Sequence, residues 1–311
     1  MLLRLRFLIL TLWLTAFAGV GAHAAVTVVI VSSERSAAYV EAAEALLSEL
    51  ERGGLSRYDM LQLTAQEWSS TGPLSPKLFV AIGTQAASVL AKAELRAPVL
   101  STLLPRSSFD RVLLDSRRKS SSQFSALCLD QPLSRQLELI RLAMPQVRHI
   151  GVLWETESQT QAPVLKALAQ ASGLTVVEAT VERDELLYPS LKRVLEQSDV
   201  LLAVAAPQLY NSSSIQNILL TSFRARVPMV AFSPAYVRAG ALLAVYVTPT
   251  QIGIQAAVIA RGVLQGKALS ATPLYSQDFS VDVNEHVAHS LGLNLDADVL
   301  LKRMKSREGS P

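Results

Sequence analysis

Leu78-Phe79-Val80-Ala81-Ile82-Gly83-Thr84-Gln85-Ala86-Ala87 decides the architecture of this chain. Five apolar residues without alternation predict a strand buried on both faces, and the Gly-Thr step leads into an Ala-rich amphipathic helix over residues 85–94. A doubly buried strand followed at once by a helix is the repeating unit of a parallel sheet. The unit recurs on both sides. Upstream, residues 26–31 predict a strand and 36–52 a helix closed by Gly53-Gly54; downstream, residues 98–103 predict the next strand. The second half repeats the scheme, with strands at 149–154, 174–179, 199–205 and 228–232 and helices at 159–172, 184–197 and 213–226. Two such series predict an α/β protein of two doubly wound parallel-sheet lobes. Residues 106–122, rich in Arg and Ser, break the pattern and are expected as a solvated loop, with a basic docking patch as the other reading. Residues 304–311 are expected as a frayed tail.

Composition fits two packed lobes. Of the 311 residues, 50% are hydrophobic and 18% charged, and the mean hydropathy is +0.29. Disorder requires the opposite balance. A single cysteine, Cys128 in an apolar stretch, excludes an intrachain disulfide and any Cys-rich metal site. Arg4 and Arg6 precede an apolar run from Phe7 to Val20, and Ala22-His23-Ala24 fits a small-residue cleavage site, so residues 1–24 predict a signal peptide. The run is too short for a membrane anchor, and no cysteine near the cut offers a lipid attachment point. Removal of the signal takes away two arginines and no acid, lowering the formal net charge from +3 to +1. That balance does not call for nucleic acid.

In open α/β sheets ligands sit beyond the C-terminal strand ends, where helix N-termini present free N–H groups and partial positive charge. The loops at those positions are Ser32-Ser33-Glu34, Gly83-Thr84-Gln85, Thr102 to Pro105, Trp154-Glu155-Thr156, Ala206-Pro207-Gln208 and Ser233-Pro234. Their hydroxyls and amides suit a carboxylate or hydroxyl ligand, and Trp154, Phe232, Tyr236 and Tyr246 are placed to cover one. Ordinary helix caps and core aromatics explain the same residues one at a time.

Enzyme chemistry lacks its parts. The chain has no phosphate-binding G-x-x-x-x-G-K-[ST] loop, no dinucleotide G-x-G-x-x-G after the first strand and no G-x-S-x-G elbow. His286 and His289 beside Glu285 have a spacing that a metal can use, but a solvated helix explains them better. No catalytic residue, cofactor or metal is expected.

Several segments carry a resemblance to a known family. They are Phe232-Ser233-Pro234-Ala235-Tyr236-Val237-Arg238-Ala239-Gly240-Ala241-Leu242, then Tyr246, Thr250-Gln251-Ile252-Gly253-Ile254-Gln255-Ala256-Ala257, Leu264-Gln265-Gly266-Lys267, Val283-Asn284 and Leu291-Gly292-Leu293. This resembles the periplasmic ABC-transporter substrate-binding proteins of the type I periplasmic-binding-protein fold, the group that includes tryptophan and aromatic amino-acid binding proteins. Weaker similarity reaches back through the Ala81 to Ala87 turn. The resemblance implies a monomeric Venus-flytrap protein in the periplasm, closing on a small polar or zwitterionic ligand for an ABC permease of the inner membrane. A sensor or partner-docking protein without a permease is the alternative. It implies a first lobe of residues 25–130 plus 248–276 and a second of 131–247 plus 277–303, hinged near 130–132, 247–248 and 275–278. The implied cleft residues are Ser32, Ser33, Gly83, Thr84, Gln85 and Thr102 from one lobe, and Trp154, Glu155, Pro207, Phe232, Ser233 and Tyr246 from the other. Ser120 to Phe124 replaces a Gly/Asn/Thr-Gly segment usual in the family, which leaves the relatives' aromatic specificity open.

Overall fold

The computed structural model describes residues 26–71, 74–182 and 187–308. The expected signal peptide lies outside the described residues. The first sheet is built by β1 (Val28–Ser32), α1 (Ala37–Arg52), β2 (Met60–Thr64), α2 (Ala65–Ser69), β3 (Leu78–Ile82), α3 (Thr84–Lys92), β4 (Val99–Thr102), α4 (Arg106–Ser116) and β5 (Phe124–Cys128). The chain then forms α5 (Leu133–Ala143), β6 (His149–Trp154), α6 (Ala162–Ala171), β7 (Thr175–Thr180), α7 (Leu187–Leu195), β8 (Val200–Leu202), α8 (Ile215–Arg224), β9 (Met229–Ala231), α9 (Pro234–Ala239) and β10 (Leu243–Tyr246). It ends with α10 (Pro249–Leu264), β11 (Leu274–Tyr275), β12 (Ser280–Val283), α11 (Glu285–Ser290) and α12 (Ala297–Glu308).

These elements make two α/β lobes. The strand orders are β11-β5-β4-β3-β1-β2 and β12-β10-β9-β8-β6-β7. Every pairing is parallel except β12 against β10. All five residues of β3 and of β5 are buried, as unalternated apolar runs require. The strands read over 78–82 and 149–154 form with those bounds. The one read over 199–205 keeps only Val200–Leu202, because the backbone turns where Ala206 N–H donates to Val204 O.

Two expectations are corrected. Residues 106–122 are not a solvated loop, because α4 occupies Arg106–Ser116. Its charges pair along the helix, Arg106 with Asp110 and Arg111 with Asp115, each at 3.0 Å. Phe109 and Val112, one turn apart, are buried, and Phe109 stacks on Phe124 at 5.8 Å. The tail is also not frayed from residue 304. α12 runs to Glu308, Met304 is buried, and Glu308 accepts from Arg135 Nε at 2.6 Å.

The chain passes between the sheets after β5, after β10 and after β11. Arg135 on α5 fastens two of these passages. Its Nη1 donates to Gln131 Oε1 (2.5 Å) in the first and to Ser276 O (2.9 Å) in the third, and its guanidinium lies 4.1 Å from the Phe279 ring centre. Asp130, buried in the first passage, accepts from the first N–H of α4, Arg106 N, at 2.7 Å. Burial raises its carboxyl to about 6, against the opposing pull of the Arg106 N–H, its own N–H and the Arg106 charge, with Asp110 adding a raising push.

α10 returns from the second lobe to pack on α1 of the first. Gly253 makes that approach possible, since a Cβ there would lie 2.3 Å from Ala42 O and 2.9 Å from Ala45 Cβ. Gly253→Ala is expected to lower the free energy of urea unfolding by about 1–3 kcal/mol through overpacking. The Asp130 carboxyl is raised on folding, so the folded state holds its proton more tightly. Its contribution to stability is lost as pH rises from about 4 to about 6. Stability measured across that range is expected to fall in the native protein and to fall less in Asp130→Asn.

Candidate functional site

Parallel topology puts the C-terminal ends of the central strands of both sheets beside the helix N-termini that follow them. In the first lobe β3 ends at Ile82, and Gly83 turns the chain into α3 with φ +92°. A side chain at Gly83 would meet the Tyr39 ring at 2.4 Å and Ser33 Oγ at 2.6 Å, so conformation and space both select glycine. Ser33 Oγ accepts from Ala86 N–H at 3.0 Å and occupies one donor of the first turn of α3. Thr84 and Gln85 are exposed at the start of that turn. α4 lies alongside and contributes Ser107, Ser108, Arg111 and Asp115.

In the second lobe, Glu155 follows β6 and is only 4% exposed. Its N–H donates to Ser158 Oγ (3.1 Å), and its Oε2 accepts from Gln208 N–H (3.0 Å) in the loop after β8. Burial raises its carboxyl above the usual range; the Gln208 N–H opposes this and the neighbouring Glu157 adds to it.

A solvent-open cleft of about 560 Å³ lies between the two lobes. From the first lobe, Thr84, Gln85 and Ser88 on α3 line it together with the α4 residues; from the second, Glu155, Glu157, Pro207 and Gln208 close it. Two contacts join the walls. Arg111 Nη1 donates to Glu157 Oε1 at 3.0 Å, and Ser107 Oγ donates to Ala205 O at 3.3 Å. The size suits a small molecule, and the lining mixes polar side-chain groups with at least as much apolar surface.

Of the residues expected in the cleft, Thr84, Gln85, Glu155 and Pro207 come together in this cavity. Ser33 and Gly83 do not line it; they fix the start of α3, Ser33 by accepting from Ala86 N–H and Gly83 as the residue before the helix. Ser32 lines a separate recess of about 250 Å³ with Glu34, Arg35 and Tyr39. Thr102 is buried at the end of β4, its hydroxyl without a partner. Phe232 packs edge-to-face on Tyr210 and Tyr236, Ser233 caps α9 by accepting from Ala235 N–H at 3.2 Å, and Tyr246 is half-buried at the end of β10. Trp154 is corrected as a ligand cover. It is fully buried, and its indole N–H donates to Glu178 Oε2 at 3.0 Å, with Lys166 2.6 Å from the other oxygen of that carboxylate.

Ser107, Ser108, Arg111 and Asp115 were hidden in the segment read as a loop. The Arg-x-x-x-Asp repeat around Phe109 and Val112 was the signal for them. Gln208 belongs to the Ala206-Pro207-Gln208 loop expected at a strand end, whereas Ser88 and Glu157 carry no comparable signal. His286 and His289 lie on the short α11, capped by Asn284, and among the described residues no three His, Cys, Asp or Glu side chains converge as metal ligands. No helix among the described residues is long and apolar enough to cross a membrane.

Comparison with known proteins gives a consistent picture. The model of the family described as ABC transporter substrate binding protein matches residues 73–306. A tyrosine-binding protein of Clostridioides difficile is 24% identical over 238 residues, covering 75% of this chain and 68% of the relative. A substrate binding protein with adhesive properties from Clostridium difficile, solved open and ligand-free, superposes with a TM-score of 0.67 at 19% identity, covering 88% of this chain and 96% of the other. A Streptococcus pneumoniae domain solved with L-Trp superposes with a TM-score of 0.61 at 19% identity, covering 89% and 98%. These structural likenesses establish the two-lobe fold.

The position of Trp154 yields a test. Trp154→Phe is expected to lower stability by about 1–2 kcal/mol through the lost buried hydrogen bond and volume, with ligand affinity unchanged by calorimetry. A loss of affinity with unchanged stability would return the indole to the binding site.

Proposed function

The chain belongs to the ABC transporter substrate-binding protein family, and on that premise we propose that it captures an amino-acid-like zwitterion between its lobes and delivers it to an ABC permease. The protein is a binder of small ligands, as its family members are, and performs no chemistry on them.

One observation carries the reading. The buried carboxylate of Glu155 shares a cavity with the exposed first turn of α3. Glu155 suits an ammonium group, and charge-assisted hydrogen bonds of that kind are about twice as strong as neutral ones. The start of α3 suits a carboxylate, with the Thr84 hydroxyl and the positive end of the helix dipole beside it. The tyrosine-binding relative and the L-Trp complex favour an amino acid over a sugar as the class of ligand. Because the two halves of the site come from different lobes, a ligand that touches both favours closure of the lobes about the three passages. On this reading capture takes place in the periplasm, which the leader read over residues 1–24 supports, and the protein acts as a monomer.

The exported protein, refolded to remove carried ligand, is expected to gain thermal stability with at least one amino acid. At a hundredfold excess over Kd the gain is about 2.7 kcal/mol. Glu155→Gln is expected to weaken that binding about 10- to 100-fold, the worth of one charged hydrogen bond. Silence across all amino acids, charged, aromatic and aliphatic, would overturn the reading.

A further inference from the structure

The charges and surfaces of the cleft discriminate among amino acids, and this deepening rests on the reading of the cleft as an amino-acid site. Four ionisable side chains line the cavity: Asp115, Glu155, Glu157 and a single cation, Arg111. Arg111 is already committed. Its Nε lies 3.0 and 3.2 Å from the two oxygens of Asp115, and its Nη1 lies 3.0 Å from Glu157. One guanidinium thus serves two carboxylates, and among the described residues the Glu155 carboxylate accepts from the Gln208 N–H alone. A net charge of −2 faces the ligand when all four groups are ionised.

The apolar surface points the same way. Among the described residues, Val112 and Pro207 are the hydrophobic residues of the lining and no aromatic ring borders the cavity. The rings nearest in sequence to the second-lobe loops, Tyr210, Phe232 and Tyr236, pack on one another, and the Tyr236 hydroxyl is spent on Tyr210 O at 2.8 Å. An aromatic side chain would therefore exchange water for hydroxyls and carboxylates, with no ring to stack against. A side chain ending in an ammonium or guanidinium would instead find Glu155 at one end of its length and, at the other, two carboxylates that share a single guanidinium.

We propose that the cargo is a basic amino acid, bound with its α-amino or side-chain cation at Glu155 and its second cation at the Asp115–Glu157 pair.

The test is a calorimetric panel on the exported protein with L-lysine, L-arginine, L-ornithine, L-leucine, L-tyrosine and L-tryptophan. A basic amino acid is expected to bind tenfold or more tightly than any neutral one, and its Kd is expected to weaken several-fold with added salt. In Glu157→Gln and Asp115→Asn the preference for the basic over the neutral ligand is expected to shrink severalfold. The ligand-free melting point of each variant reports whether it folds, and the salt series on the native protein stands without them. Tighter or equal binding of tyrosine, tryptophan or leucine would overturn the basic cargo and leave amino-acid capture intact. Binding of none of the six would overturn this assignment, and silence across the remaining amino acids would overturn the capture reading as well.

Discussion

A parallel strand can be reached only by a crossover, and the geometry of the cleft descends from that constraint. Each crossover helix starts where a strand ends, so strand ends and helix N-termini gather along one edge of each sheet. Two such sheets set edge to edge produce a cleft whose two walls are built alike. The first wall has the α3 and α4 starts after β3 and β4; the second has the loops after β6 and β8, with Glu155 held by Gln208. Backbone donors on these walls are partly spent inside each lobe, as Ala86 N–H is on Ser33 and Arg106 N–H is on Asp130. The ligand therefore meets mainly side chains, and their identities set what is bound.

The passages between the lobes must be pliable enough to let the walls move and ordered enough to return them. Arg135 answers both needs by touching two passages from a helix that belongs to the second lobe. It is buried, and its charge is met by Glu308 on the terminal helix and by the Phe279 ring. Losing one partner of such a cation leaves an uncompensated charge, which costs about 3–5 kcal/mol. The terminal helix is thus part of the passage structure and no appendage to it.

The fold was legible because parallel sheets write themselves as unalternated apolar runs. Residues 78–82 and 149–154 could be bounded from sequence since glycine or a polar loop closes each run. β2 went unread, as its residues Met60–Thr64 are only half-buried at the sheet edge and do not form a clear run. α4 went unread because its many charges resemble those of a solvated loop, and only their four-residue spacing shows that they pair along a helix face. The loops at the strand ends, Ala206-Pro207-Gln208 among them, were legible because topology fixes their position, and α4 was not, because its residues reach the cleft only through the rotation of a helix. Trp154 shows the same limit from the other side. Its place at the end of β6 marked it for the cleft, but strand alternation turns its ring into the core while its neighbour Glu155 turns out.

The contacts that join the walls explain how capture and release can coexist. Arg111–Glu157 is an ion pair between side chains with substantial exposure on the arginine side, and Ser107–Ala205 is one long hydrogen bond. Exposed ion pairs contribute about 0–1 kcal/mol and ordinary hydrogen bonds about 1 kcal/mol. Two contacts of that size bring the walls into register without holding them shut against thermal motion. A hydrophobic seam of equal area would hold them far more firmly and would slow release to a permease. On the proposed reading, closure draws most of its free energy from a ligand that bridges Glu155 on one wall and α3 on the other.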